Sequence, residues 1–189
     1  MSYTDKNASG EESLEAKITA LVAFIDAHKV GMLTTQRKDG LLVARAMAVA
    51  DRENTVDLIF HTHTESGKTD ELENNSKVGV SFYKDSTGEW VSISGDAEVV
   101  TDRATVQKYY SPTLKAWIGD KGDGVHDGGP NDPRIGVIRV KVATVTYAVQ
   151  TSTQIGKFYQ IAKGVVTGTV PSINAIVELS ESDIKASRK

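Results

Sequence analysis

The sequence predicts a mainly β, α+β fold: a barrel of about six antiparallel strands with flanking helices. Three observations carry this prediction. Apolar runs of strand length follow one another across turns too short for parallel crossovers, among them Arg37-Lys38-Asp39-Gly40 and Asp85-Ser86-Thr87-Gly88. Helical periodicity is confined to short stretches inserted between those runs. A late segment, Ile135–Gln150, is long and rich in β-branched residues, and Val137-Ile138-Arg139-Val140-Lys141-Val142 alternates within it.

The elements follow in order. Residues 1–10 read as a disordered lead. Ser9 and Glu12 have the spacing of a capping box, and Leu14, Ile18, Leu21, Val22 and Ile25 recur at helical spacing, so an amphipathic helix is expected over 11–28. Strands are expected at Gly31–Thr35, Leu41–Ala50 and Val56–Thr62, with Asp39-Gly40 turning the first pair and Asp51–Asn54 the second. A short helix is expected at Lys68–Ser76, then strands at Val78–Tyr83 and Glu89–Val100. Asp102 is placed to cap a helix running to Tyr110, and Pro112–Ile118 suits one more helical turn. Gly119–Pro133, dense in Gly, Asp and Pro, is a loop. After Ile135–Gln150, Thr151–Lys163 reads as a short helix and Ser180–Lys189 as a fraying helical end. The expected organisation is one barrel domain over 11–150, with 151–189 as a C-terminal extension packed on it.

Composition narrows the function. The chain has 189 residues, 39% of them hydrophobic, enough for one domain with its own core. A formal net charge of -3 offers no global attraction to nucleic acid or an anionic membrane. No apolar run approaches the roughly 18 residues of a membrane span. The polar, acidic start from Met1 to Glu15 has no apolar core of the signal-peptide kind, so a cytoplasmic location is expected. Cysteine is absent, which excludes disulfides, thiolate metal sites and thiol nucleophiles. Redox chemistry would therefore rest on a bound cofactor.

One stretch carries a specific chemical suggestion. Phe60-His61-Thr62-His63-Thr64-Glu65-Ser66-Gly67-Lys68 reads as an apolar strand ending in hydroxyls and a lysine. Upstream, Val43-Ala44-Arg45-Ala46-Met47-Ala48-Val49 is a strand with a single arginine. A cation on one strand, facing Ser and Lys at the end of its neighbour, suits a phosphate monoester, and strand backbones beside it suit a flat heterocycle: a flavin mononucleotide (FMN) site.

Other patterns lead elsewhere. Ser66-Gly67-Lys68-Thr69 resembles the end of a P-loop, but the first glycine of that motif falls at Thr62. His61 and His63 share a strand face without further ligands at metal spacing, so no metal site is expected. Asp120, Asp123 and Asp127 miss the calcium-loop spacing and read as a solvated loop, or as a lid. Trp117, Tyr109 and Tyr110 suit packing as well as cofactor contact.

Taken in order, these motifs resemble the FMN-binding split barrels of the pyridoxamine 5′-phosphate oxidase superfamily, within it the general stress protein branch, and in particular the blue-light-inducible proteins of filamentous fungi. Gly31-Met32-Leu33-Thr34-Thr35 resembles the first barrel strand, Ala44-Arg45-Ala46-Met47 the arginine-containing flavin strand, and Phe60 to Lys68 the phosphate-holding strand and turn. Val91-Ser92-Ile93-Ser94-Gly95-Asp96-Ala97 resembles the long strand with its Ser-Gly step, and Lys115-Ala116-Trp117 the aromatic helical segment. The likeness covers 12–150, and the 122–130 loop and 151–189 tail resemble the fungal branch. It implies an FMN-binding split β-barrel that dimerises with itself, with flavin at the interface. By that resemblance Arg45 and Lys68 bind the phosphate with Ser66 and Thr62 as hydroxyl donors. Backbone groups of Ala46 and Met47 meet the ring edge, His61 sits beside the flavin, and Trp117 lies near the ring, from either subunit.

Two departures separate the chain from the vitamin oxidases. Gly67 stands where they carry an arginine, and the tail ending Ser182-Asp183-Ile184-Lys185-Ala186-Ser187-Arg188-Lys189 lacks their tryptophan. Both argue against pyridoxamine phosphate as substrate. The expected activity is a flavin-dependent oxidoreductase acting on a small planar molecule, with a nicotinamide nucleotide as electron donor and His61 as the candidate general acid. The alternative is a flavin carrier or sensor without turnover, in a stress or light response. A third reading places a deazaflavin or a haem in the barrel, with His28, His61, His63 or His126 as the histidines available to haem.

Overall fold

Seven strands form one sheet in the computed structural model, which describes residues 12–150 and 174–188. They are β1 (Val30–Gln36), β2 (Leu42–Glu53), β3 (Asp57–His63), β4 (Lys77–Lys84), β5 (Glu89–Val100), β6 (Ile135–Gln150) and β7 (Asn174–Leu179). The order is β3-β2-β1-β4-β5-β6-β7, and β3 also pairs with β6, so β1 to β6 close a six-stranded antiparallel barrel. Every pairing is antiparallel, as the short turns require for β1–β2, β2–β3 and β4–β5. This is the α+β split-barrel architecture expected from the sequence.

The length of β6 lets one strand serve two partners. Ile135 to Val140 pair with β3 and Val145 to Gln150 with β7, while β5 runs along the other edge. A bulge between Ser94 and Gly95 accommodates the bend. A side chain at Gly95 would meet the Lys141 carbonyl oxygen at 2.4 Å, so close backbone approach fixes glycine there.

Five helices decorate the barrel among the described residues: α1 (Leu14–Ala27), α2 (Gly67–Asn74), α3 (Arg103–Tyr109), α4 (Leu114–Ile118) and α5 (Glu181–Ser187). Asp102 caps α3 as expected, accepting from the Thr105 amide. Elsewhere the local readings shift. The cap of α1 is Ser13, which accepts from the Ala16 amide; Ser9 lies outside the described residues. The turn expected at Asp51–Asn54 comes later, because β2 bulges between Val49 and Asp51 and runs on to Glu53. Asn54 and Thr55 then close the hairpin with φ of 46° and 74°. The final helix is shorter than Ser180–Lys189 and firmly started, by a capping box of Ser180 and Asp183. β7 was not anticipated, and the helix expected at Thr151–Lys163 lies outside the described residues. No described helix is long and apolar enough to cross a membrane.

The core follows the strand alternation. Leu33, Phe60, Val80, Ile93 and Val140 point into the barrel, where Leu21 and Ile25 of α1 and Ile184 of α5 meet them. Each such side chain stabilises the fold by about 1.5–3 kcal/mol. β3 is buried on both faces: Ile59 turns outward into a second cluster with Val106 and Tyr109 of α3 and Ile135 and Val137 of β6. This double burial makes β3 a rigid wall for what lies at its end.

Candidate functional site

The barrel opens at one seam. β2 and β3 pair from Glu53↔Asp57 up to Val49↔Phe60, and there the ladder stops. Beyond it β3 continues through Thr62 and His63 on β6 alone, while Leu42 to Ala48 of β2 stay paired with β1 alone. The Val49 amide donates to the Lys29 carbonyl on the β1 side. By the alternation of an antiparallel strand, the N–H and C=O groups of Ala44 and Ala46 therefore face the open edge. That edge is a set of fixed hydrogen-bonding groups without a strand partner among the described residues.

Side chains gather at the same end. The chain leaves β3 at His63, turns, and enters α2 with Ser66 at the N-cap position. Thr69, buried, pins the turn by donating to the carbonyls of Ser66 at 2.5 Å and Thr64 at 2.9 Å. The Ser66 hydroxyl does not cap its own helix. It accepts from Lys68 Nζ at 2.9 Å and lies 3.4 Å from Thr62 Oγ1. The first-turn amides of α2 thus have no side-chain cap, and the positive end of the helix adds to the charge of Lys68.

Arg45 completes the cluster from β2. Strand parity places it on the barrel side, opposite Leu33, and its guanidinium reaches the rim beside α2. It donates to Thr35 Oγ1 and, at 2.7 Å, to Glu71 Oε2, which also accepts from Thr35 at 2.5 Å. Burial lowers the Lys68 ammonium below the usual lysine range, the charge of Arg45 lowers it further, and Glu71 partly offsets both. Among the described residues Lys68 has no carboxylate within ion-pair distance. Burial raises the Glu71 carboxyl, but bonds from Thr35 and Arg45 outweigh it and hold the group below its usual range. The site holds two cations and one carboxylate, a net positive locus suited to an anion.

The structure therefore brings together four of the residues expected from the sequence, Arg45, Thr62, Ser66 and Lys68, with the Ala46 backbone beside them. Met47 behaves differently: its backbone is turned toward β1 and its side chain packs on the core. His61 is on the other face of β3, where its Nε2 meets the Tyr109 carbonyl at 2.6 Å under α3. Trp117, on α4, is 86% exposed. The loop after α4 is held in place by a buried pair: Arg134 bonds Asp132 and the carbonyls of Ile118, Gly119 and His126.

Glu71 and Thr35 were not anticipated. Glu71 follows Lys68 by three residues, so the two share a helix face, and that spacing was the available signal. The contact of Thr35 with Arg45 depends on the β1–β2 register and has no local sign.

The chain matches the family described as Pyridoxamine 5′-phosphate oxidase like over residues 16–172. It is 48% identical over 188 residues to Protein bli-3 of Neurospora crassa, a match covering 98% of this chain and 90% of that protein. A protein related to general stress protein 26 from Clostridium acetobutylicum shares the fold with a TM-score of 0.65 at 14% identity, covering 90% of this chain and 98% of that one. A pyridoxamine 5′-phosphate oxidase-related, FMN binding protein from Nostoc punctiforme does so with a TM-score of 0.57 at 14% identity, covering 74% and 85%.

Proposed function

The chain belongs to the pyridoxamine 5′-phosphate oxidase-like family, and from that membership we propose that it binds FMN at the seam between β2 and β3 and works as a flavin-dependent oxidoreductase on a small planar substrate, as a homodimer with flavin at the interface. The observation that carries this reading is the convergence of Arg45, Lys68, Ser66 and Thr62 beside an unpaired strand edge. A phosphate dianion supplies the counter-charge that Lys68 lacks. The groups of Ala44 and Ala46 on the open edge suit the polar rim of a flat heterocycle, at no side-chain entropy cost.

When bound, the flavin accepts and returns the reducing equivalents, and a nicotinamide nucleotide is the donor proposed. The chain's own residues bind, orient and tune. Arg45 and Lys68 fix the phosphate by charge-assisted hydrogen bonds worth about 1.5–3 kcal/mol each. The apolar wall of Phe60 and Val49 limits water behind them. Dimerisation is supported by the outer face of β1 and β2, where Val30, Met32, Leu42 and Ala46 stand exposed side by side.

A second reading, a flavin carrier or sensor without turnover, is favoured by the placement of His61. With its Nε2 on the Tyr109 carbonyl, His61 stands on the face of β3 away from the phosphate cluster and is not placed to act there as a general acid.

The test begins with the absorption spectrum of the purified protein with and without added FMN. Bound oxidised flavin, lost in a folded Arg45→Ala, Lys68→Ala variant, supports the site; no flavin binding in the wild type overturns it. Reduction by a nicotinamide nucleotide followed by turnover with an acceptor selects the enzyme over the carrier.

A further inference from the structure

We propose that Glu71 is a positioning residue for the phosphate subsite: with Thr35, it holds the Arg45 guanidinium by one edge so that its remaining donors face the anion. The inference rests on the FMN-binding reading and deepens it by adding a carboxylate to a phosphate site, where charge alone would argue for its absence.

The geometry is specific. Glu71 Oε2 takes both the Arg45 Nη2 donor at 2.7 Å and the Thr35 hydroxyl at 2.5 Å, and Thr35 accepts from Arg45 Nη1. The three groups close a ring of hydrogen bonds. Thr35 is 1% exposed on a strand, so the ring is anchored to the rigid part of the barrel. Arg45 and Glu71 are both mostly buried, with side-chain exposures of 23% and 16%. Two guanidinium hydrogens are committed to the ring, and Nε and the other Nη hydrogens have no partner among the described residues.

Two effects of Glu71 oppose each other. Its charge lowers the positive potential felt by an incoming phosphate, which weakens binding. Its bonds remove rotamer freedom from a long, flexible side chain. The rim is partly open to water, which screens the charge effect. The ordering effect is not screened, so the loss of Glu71 weakens phosphate binding on balance. The ring also distinguishes the two cations. Arg45 is fixed before the ligand arrives, whereas Lys68, held among the described residues by Ser66 alone, is the adjustable one.

The experiment compares Glu71→Ala, Glu71→Gln and wild type for binding of FMN and of riboflavin, which lacks the phosphate. The Arg45 Nε–Hε resonance is followed by NMR in the unliganded proteins. The expected result is FMN affinity weakened on the order of tenfold in Glu71→Ala, as for loss of a charge-assisted contact. Riboflavin affinity should stay unchanged, and Glu71→Gln, which keeps an accepting oxygen, should recover most of the loss. Adding Arg45→Ala to Glu71→Ala should be no worse than Arg45→Ala alone. FMN binding that is unchanged or tighter in Glu71→Ala, or riboflavin binding that falls in parallel, overturns the proposal. If wild type binds no FMN, the FMN reading fails. The NMR arm then decides positioning separately: a sharp Arg45 signal in wild type that broadens in Glu71→Ala supports it, and identical signals overturn it.

Discussion

Arg188 closes the far end of the barrel on Asp57. Its Nη2 lies 2.9 Å from Asp57 Oδ1 and 2.7 Å from the Val142 carbonyl, although 131 positions separate Arg188 from Asp57 in the chain. The Asp57 side chain is only 4% exposed. It also accepts from the Val142 amide at 2.9 Å and from Asn54 at 3.1 Å. One carboxylate thus ties the β2–β3 hairpin, β6 and α5 together at the end of the molecule opposite the seam.

Arg188→Ala leaves that carboxylate desolvated with only neutral donors. The expected cost is about 2–4 kcal/mol, since removing one partner of a buried pair strands the other. Urea denaturation measures it. Arg188→Ala combined with Asp57→Asn should cost less than the sum of the two single changes; strict additivity would mean that the two residues do not act through each other.

Asp132→Asn should loosen the 119–133 loop. The bonds from Arg134, against the opposing effect of burial, hold the Asp132 carboxyl well below the usual carboxylate range. Because the folded-state value is the lower one, the pair's contribution is complete above the unfolded carboxylate range. It is lost only as pH falls through the folded value. The gap between wild type and Asp132→Asn, about 3 kcal/mol near neutrality, should therefore narrow from about pH 5 downward. A gap that stays constant with pH rejects the linkage. Limited proteolysis between Asp120 and Gly128 reads the loop directly.

Local chemistry made much of this molecule legible in its sequence. Glu89–Val100 and Ile135–Gln150 have the boundaries that alternation predicted, and Asp102 caps where an aspartate before an apolar-periodic run should. Thr62, Ser66 and Lys68 sit at a strand end and turn whose chemistry is local, and Arg45 stands out as the one charged residue of the apolar run 43–49. What escaped depends on distant partners. β7 is six residues that become a strand by pairing with Val145 to Gln150, and nothing within Asn174–Leu179 announces that register. The hairpin ends at Asn54-Thr55 because a bulge in β2 delays it, and threonine at positive φ is not a turn signal. The opening of the β2–β3 ladder past Val49 depends on how the two strands diverge as the barrel closes, with β2 held there by β1 and β3 held on its other edge by β6. His61 alternates with Thr62, so a strand that delivers one to the seam turns the other to α3.

Two glycines should respond in opposite ways to alanine. At Gly95 the added Cβ meets the Lys141 carbonyl at 2.4 Å, a backbone contact that cannot swing aside. Gly95→Ala should cost about 1–3 kcal/mol, as for overpacking. At Gly67, in the first turn of α2, no atom lies within 4 Å of the added Cβ. Gly67→Ala should be neutral or stabilising by up to about 1 kcal/mol through the unfolded chain. Melting temperatures of the two variants compare them, and a destabilised Gly67→Ala would mean that the turn needs glycine for its backbone.

Lys68 gives the phosphate site an alkaline limit. Burial first, and the charge of Arg45 second, lower its ammonium, so in the free protein it loses its proton below the usual lysine range. With a lowered folded value, the free protein gains stability from this group as pH climbs between the folded and unfolded values. Phosphate binding has the opposite preference, because the dianion is held by the protonated form. FMN affinity should therefore fall as pH rises through the free-state value, by up to about tenfold per pH unit where one proton is taken up on binding. Riboflavin, measured in parallel, controls for titration of the ring itself. Lys68→Arg should flatten the profile, since guanidinium stays charged throughout. Arg45→Ala should weaken binding yet move the fall to higher pH, by removing the neighbouring positive charge. Fluorescence quenching between about pH 7 and 10 resolves these curves around the lysine range. An affinity flat across that range, or a Lys68→Arg profile as steep as wild type, would show that Lys68 is not the cation that meets the phosphate.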